Sequence, residues 1–242
     1  MSAQYTDIEV EYIDHMGSDA RVLNVARTSF NKWKDENGDL DESSISLLEY
    51  LATGVPKDQR NDWQALAQSS KHWSPFAHCF LSIRCRVPLF LARQLVKHQV
   101  GLSWNEESRR YIDTEPTFWI PKEWHVRPKN VKQGSAEVHK YSKEITEQVR
   151  RVTDVALFNY NHLIQIGVAP EEARTVLPLN TCINYVWSGS LMALIRVLHQ
   201  RLDGHAQLAA QEFAGKLGVI VKEYFPMSYQ AHKFLFQKEN HG

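Results

Sequence analysis

Leu81, Ile83, Cys85 and Val87 alternate with Ser82, Arg84 and Arg86, and Pro88 closes the run. An alternation of period two puts the four apolar side chains on one face of a strand and the three polar ones on the other, so this segment has to lie in a sheet with one face on a core. Directly after it the period changes. In LFLARQLVKHQ, Phe90, Leu91 and Leu95 recur at helical spacing, Pro88 stands at the first helical position, and Arg93, Gln94, Lys97 and His98 project together from the opposite side. A half-buried strand running into an amphipathic helix confines the chain to a fold that mixes the two.

The other segments carry the same mixture. Ile8 to Ile13 predicts a strand, and Ser18 is placed to cap a helix through Val22, Leu23 and Ala26 towards Phe30. Ile45, Leu47, Leu48 and Leu51 predict a helix stopped by Gly54, and Pro56 opens a polar helix through Trp63, Leu66 and Ala67. VGLSWNEESRRY has no clear period and predicts an irregular loop; FWIP predicts a short strand. Residues 135 to 167 carry a long helical pattern, Pro170 starts a short helix that stops before Pro178, and Thr181 to Trp187 predicts a strand. Gly189 and Ser190 cap a helix with Leu191, Leu194, Ile195, Leu198 and Leu202 along one side, and a last helix runs from His205 towards Phe225 and Pro226. Neither an internal repeat nor a βαβ rhythm is visible, which predicts an α+β fold, helices packed around a small, mostly antiparallel sheet.

Composition narrows the function classes. A chain of 242 residues, 43% of them hydrophobic, fits one compact domain. Lys and Arg number 28 against 28 Asp and Glu, so no global field draws it to nucleic acid or to an anionic membrane, and any anion site is built locally. No apolar run approaches the roughly 18 to 20 residues needed to span a bilayer, and MSAQYTDIE is not a signal peptide, which predicts a cytoplasmic protein. Cys79, Cys85 and Cys182 form no CxxC pair, and the eleven histidines include no HExxH, so neither a disulfide framework nor a metal is expected. GxGxxG and GxxxxGK[ST] are absent as well, so any nucleotide or dinucleotide is held outside a Rossmann or P-loop frame.

Three clusters carry chemistry: Arg93 to Tyr111, Ala173 to Pro178 and Ser188 to Gln207. The first is dense in donors for a phosphate and acceptors for a base or sugar, and reads equally as a solvated helix end and loop. Arg174, after PEEA, reads either as an anion ligand or as a surface ion pair with Glu171 or Glu172. Arg201 is either a ligand or a cation suited to a helix C-terminus, and Gly189 with Ser190 either an anion site or a cap. RNA binding through Arg109, Arg110 and Tyr111 is opposed by the zero net charge.

The run ARQLVKHQVGLSWNEESRRY resembles the signature of the flavin-dependent thymidylate synthases, in which RQ is followed by RHR, S, NE, S and RY. VLNVARTSF, HWSPFAH, VPLFLARQ, GVAPEEARTVLPLN, YVWSGSL and LDGHAQ are similar to family segments in the same order, so the resemblance covers most of residues 8 to 226. Lys97, His98 and Gln99 replace RHR, and eight residues separate Gln99 from Ser108 where the family has seven. Ala77 stands where many relatives have glutamate, Arg196 where some have asparagine, and residues near 57 to 70 look inserted into an otherwise single domain over 1–242.

The resemblance implies reductive methylation of dUMP to dTMP, with methylenetetrahydrofolate as carbon donor and NADPH-reduced FAD as cofactor, in a non-Rossmann flavin-binding fold. It also implies a homotetramer with shared active sites. Gln94, Ser108 and Arg110 would bind the dUMP phosphate, with Arg174 reaching in from a neighbouring subunit. Glu106 and Glu107 would sit at the nucleotide and the catalytic Arg201 at the uracil ring. Lys97, His98 and Gln99 would meet the flavin, with His72, Ser74, Asn105, Ser190 and Arg196, while Lys97 and Glu106 stand at both ligands. Departure from RHR keeps a second reading open, a nucleotide- and flavin-binding regulatory module that has lost turnover. The cysteine-dependent thymidylate synthases resemble this chain nowhere.

Overall fold

The computed structural model describes residues 2–36, 40–111, 114–127 and 137–236. In chain order the strands are β1 (Gln4–Tyr5), β2 (Glu9–Met16), β3 (Phe80–Pro88), β4 (Leu102–Glu106), β5 (Thr117–Phe118) and β6 (Cys182–Ser190). The helices are α1 (Asp19–Thr28), α2 (Glu42–Thr53), α3 (Trp63–Gln68), α4 (Leu89–Leu95), α5 (Ser142–Gln165), α6 (Pro170–Ala173), α7 (Leu191–Arg201), α8 (Leu208–Tyr224) and α9 (Pro226–Phe236), with 3₁₀ turns at Lys57–Gln59, Ser74–His78 and Arg174–Val176. An antiparallel sheet of order β2-β3-β6-β4 forms the centre, and β1 pairs in parallel with β5 beside it.

The alternation in β3 is realised in full: Leu81, Ile83, Cys85 and Val87 are buried while Arg84 is exposed. β3 lies against β6 from Phe80↔Ser190 to Pro88↔Cys182, so Ile183, Tyr185 and Trp187 extend the same apolar face, which α7 and α8 cover through Leu194, Leu198, Phe213 and Leu217. Local signals hold where their chemistry is local. Ser18 accepts the Arg21 N–H at 3.2 Å and caps α1. Gly54 ends α2 at φ 74°, a left-handed conformation that costs glycine nothing.

Several expectations are corrected. VGLSWNEESRRY is not all loop: Leu102–Glu106 is an edge strand on β6, stabilised where Trp104 stacks on Tyr185 with ring centroids 3.5 Å apart. Its register needs Gly189, where a Cβ would come within 2.3 Å of the Gly101 carbonyl oxygen. Accordingly Gly189 belongs to β6, which runs past Trp187 to Ser190, and Ser190 alone caps α7. α4 stops at Leu95, and His98 bonds back through its N–H to the Leu95 carbonyl, so Lys97, His98 and Gln99 form a turn beyond the helix. Pro56 opens a 3₁₀ turn, and α3 starts separately on Asp62, whose carboxylate accepts the Gln64 and Ala65 N–H groups. After Phe225 the chain begins α9 instead of stopping. Asp19 of α1 supplies its N-terminal acceptor, taking the Met227 and Ser228 N–H groups at 2.8 and 2.9 Å. α5 starts at Ser142, so residues 137–141 of the expected helix are not helical, and residues 135 and 136 lie outside the described residues.

α9 carries a pH-sensitive group. His232 is 2% exposed, donates from Nδ1 to the Ser228 carbonyl at 2.8 Å and meets Phe76 edge-on. Burial pulls its pKa down to about 4 against the Ser228 hydrogen bond, with His199 adding a smaller push in the same direction. Between an unfolded value of about 6.5 and this folded value, the unfolded chain binds a proton that the folded chain refuses, so stability falls as pH falls. Urea unfolding at pH 7 and pH 4.5 should show His232 costing the wild type roughly 2 to 3 kcal/mol that the His232→Gln variant does not lose. Equal losses in the two proteins would contradict the assignment.

Candidate functional site

β4 leaves the sheet at Glu106, and the next residue is tied back as it goes: the Glu107 N–H donates to the Asn184 carbonyl at 2.9 Å. The turn after α6 brings Arg174 of the same chain to the same place, where the resemblance implied an Arg174 reaching in from a neighbouring subunit. Glu106, Glu107, Arg109 and Arg174 thereby surround a cavity of about 110 Å³ whose apolar wall includes Leu89, Leu177 and Ile183. Two carboxylates facing two guanidiniums across a partly apolar hollow can hold a ligand that is anionic at one end and hydrogen-bonding at the other.

The partners of each group define what is left for a ligand. Desolvation pushes the Glu106 carboxyl above its ordinary range, opposed by the Trp104 Nε1–H at 3.2 Å, reinforced by Glu107 and opposed again by Arg174. Arg174 donates from Nε to the Glu171 carbonyl at 3.2 Å, a backbone bond in place of the anticipated ion pair, and keeps its terminal nitrogens. Arg109 donates from one terminal nitrogen to the Thr114 carbonyl at 2.9 Å, while its buried Nε has no acceptor among the described residues. An orphaned buried donor is costly unless something else satisfies it. Ser108 and Arg110 are not among the residues lining the cavity; Arg110 Nε donates to the Ser108 hydroxyl at 3.1 Å and its guanidinium stands 5.0 Å over the Tyr111 ring.

A chain of rings leads from this cavity to Arg201. Trp104 meets Trp187 edge-on at 5.6 Å, Trp187 meets His98 at 6.3 Å, and His98 Nε2 accepts from Arg201 Nε at 3.1 Å. That acceptor role requires a neutral imidazole with its proton on Nδ1. Burial pulls the His98 pKa down and the Arg201 charge adds to it, so the neutral form is the one favoured. Arg201 is itself half-buried, and its terminal nitrogens have no partner among the described residues. Gln94 donates its amide to Gln207 nearby. Lys97 and Gln99 are exposed on the turn, and Lys97 makes no ion pair among the described residues.

The remaining candidates gather elsewhere. His72, Trp73 and Ser74 run together on the surface, with Arg196 placed 5.8 Å over the Trp73 ring and Tyr50 5.3 Å from His72. Trp73 is 53% exposed. Ser190 is buried and its hydroxyl accepts the Ala193 N–H at 3.2 Å, capping α7 while its O–H donor remains available. Asn105 pairs with Val186, which puts it on the face of the sheet opposite Trp104 and Trp187 and away from His98. Sequence reasoning missed Asn184 and Trp104, and named Arg109 only in an RNA-binding reading that the zero net charge opposes. Asn184 Nδ2 donates to Glu107 Oε2 at 2.7 Å across 77 residues of chain, a pairing with no local signal.

All three cysteines are buried, and burial pushes their thiols up to about 11 for Cys79 and about 12 for Cys85 and Cys182. Thiols so far from ionisation are not nucleophiles at neutral pH.

A family model described as "Thymidylate synthase complementing protein" matches residues 11–227. A flavin-dependent thymidylate synthase of Thermotoga neapolitana is 31% identical over 223 residues, covering 92% of this chain and 89% of the relative. One from Wolbachia pipientis wMel is 30% identical over 226 residues, covering 92% and 72%. Among solved structures, a UMP/dUMP methylase, PolB from Streptomyces cacaoi, has a similar fold. Its form bound with 5-Br dUMP superposes with a TM-score of 0.76 at 24% identity, covering 96% of this chain and 97% of that one. The form bound with 5-Br UMP gives 0.78.

Proposed function

Because this chain belongs to the thymidylate synthase complementing protein family, the flavin-dependent thymidylate synthases, we propose that it converts dUMP to dTMP, taking the carbon from methylenetetrahydrofolate and the reducing equivalents from NADPH through FAD. It is an enzyme of the methyltransferase class and depends on a flavin. The observation that carries the reading is the convergence of Glu106, Glu107, Arg109 and Arg174 on one cavity, inside the matched segment.

The phosphate of dUMP is an acceptor for the terminal nitrogens of Arg174 and Arg109 in the cavity, with Ser108 and Arg110 next in the chain and Gln94 towards Arg201. Arg-phosphate pairs are charge-assisted and directional. The uracil ring goes to Arg201. Methylation at C5 requires negative charge to build up on the ring, and the free guanidinium nitrogens at O4 and N3 stabilise it with donors that stay protonated. Neutral His98 holds Arg201 by its Nε and leaves the other nitrogens to the substrate.

The donor set at His72, Ser74 and Arg196, beside the exposed face of Trp73, fits a flavin dinucleotide, which needs an aromatic surface for its base and donors for its pyrophosphate. These residues would hold FAD together with Lys97, His98 and Gln99. Asn105 is left out of the set for its face, and Ser190, whose O–H can still donate, stays in it. Bound FAD supplies the redox chemistry and one-carbon transfer that protein side chains lack. In the same reading the chain is one domain with an insertion near 57–70, works in the cytoplasm and assembles as a homotetramer. The apolar stripe Val152, Val155 and Phe158 on α5, 61%, 61% and 70% exposed, supports assembly. No described helix is long and apolar enough to cross a membrane.

The test is a flavin absorption spectrum on the purified protein, with tritium release from C5-labelled dUMP in the presence of NADPH and methylenetetrahydrofolate. A flavin-loaded protein that NADPH does not reduce, with or without dUMP, favours the regulatory module to which Lys97 and Gln99 point. Those two residues also make a prediction of their own. Lysine lacks the planar fork and glutamine the charge, so FAD should dissociate readily. The double variant Lys97→Arg with Gln99→Arg should tighten FAD by roughly 1.5 to 3 kcal/mol per restored charged hydrogen bond. Fluorescence titration of the apoprotein measures it, and weaker binding in the variant counts against a family-like pocket.

A further inference from the structure

The polar side of the sheet carries a ladder of side chains that ends on Glu107. Glu9, Arg86 and Asn184 are register partners on β2, β3 and β6, with Glu9 opposite Arg86 and Arg86 opposite Asn184. One terminal nitrogen of Arg86 donates to both Glu9 oxygens at 3.0 Å, and Arg86 Nε donates to Asn184 Oδ1 at 3.0 Å. Asn184 Nδ2 then donates to Glu107 Oε2 at 2.7 Å. A guanidinium can only donate, so Asn184 has to turn its oxygen to Arg86 and its NH₂ to Glu107; the amide cannot flip without losing both bonds. Glu107 is held twice by one residue, through its backbone N–H and through Oε2, while Oε1 has no hydrogen bond among the described residues and Glu107 lines the cavity with Arg109 and Arg174.

We propose that Arg86 and Asn184 are positioning residues of the nucleotide site, which aim the second oxygen of Glu107 into the cavity as an acceptor for a donor group of the bound nucleotide. The inference rests on the dUMP reading of that cavity. Without Asn184, Glu107 keeps its carboxylate but loses the bond that fixes its rotamer beside two arginines able to capture it. The nucleotide then meets a guanidinium occupied by Glu107 in place of an acceptor and a free cation. The effect belongs to binding, because the ladder touches neither Arg201 nor the His72 to Arg196 surface.

The experiment uses the full chain loaded with FAD. Asn184→Ala should raise the KM for dUMP about tenfold or more, the scale of a lost hydrogen bond to a charged group, while kcat and the KM for NADPH stay within about threefold. Arg86→Lys keeps a cation for Glu9 but removes the Nε donor, and should shift the KM for dUMP in the same direction by less; it also serves if Asn184→Ala does not fold. An unchanged KM for dUMP, or a loss spread evenly over kcat and both KM values, overturns the proposal. A wild-type protein that neither binds nor turns over dUMP sinks the dUMP reading instead. The ladder is then read in urea from Asn184→Ala and Glu107→Ala, singly and together: coupling of about fivefold or more in the folding equilibrium supports the aiming of Glu107, and additive effects overturn it.

Discussion

Arg201→Ala should lower the rate of dTMP formation by about 10²-fold or more while FAD stays bound, the scale found when a group aimed at developing charge is removed. The residue closes α7, and the one side-chain hydrogen bond of its guanidinium among the described residues runs from Nε to His98. Its removal leaves neutral His98 without a donor but breaks no ion pair, so the fold has little to lose. The effect falls on chemistry. Arg201 and Arg196, the latter on the Trp73 surface, sit five residues apart on α7, roughly 7.5 Å along the axis at 1.5 Å per residue. Loss of the first should therefore spare the second. The check is single-turnover dTMP formation beside the flavin content of the same preparation. Retention of more than about a tenth of the activity contradicts a role at the uracil. Loss of flavin along with activity moves Arg201 to the cofactor.

Trp187→Ala should cost about 3 to 5 kcal/mol, a large share of the 5 to 15 kcal/mol that holds a domain together. Trp187 is 1% exposed at the centre of β6, with Trp104, Tyr185, His98 and Phe213 rings around it. Alanine removes the ring from all four at once, and the covering helices cannot collapse into the space without giving up their contacts to β3. The consequence reaches the site through packing: His98 loses the ring behind it and Trp104 the partner that holds edge strand β4 beside Glu106. Trp187→Phe keeps part of the filling and should lose less. Urea midpoints measure both, and a loss below about 1 kcal/mol for alanine would mean that this part of the core is not closely packed.

What was legible in the sequence is what a short window of residues settles. The alternation from Leu81 to Val87, the cap at Ser18, the left-handed stop at Gly54 and the cap at Ser190 each involve groups within six residues of one another, and the structure has all of them. Motif order carried the family, because spaced segments with distinct chemistry rarely fall into the same order by chance. By itself the sequence thereby determined the kinds of element, the central strand and the residues worth watching, Arg174, Arg201, Glu106 and Glu107 among them.

Tertiary structure alone decided which of those residues meet. VGLSWNEESRRY looked irregular because the strand in it is stabilised by Trp104 stacking on Tyr185, 81 positions later, and by the missing Cβ of Gly189. α9 depends on a carboxylate from Asp19, more than two hundred residues away, which no terminal signal near Pro226 announces. Asn184 reads as a polar position on a half-exposed strand until β4 pairs beside it and hands it Glu107. A side chain's role here follows from the strand register and the few ångströms to its neighbour across the sheet. Both are set by packing the whole chain at once, since hydrogen bonds and desolvation act over contact distances in space, whatever the separation in sequence.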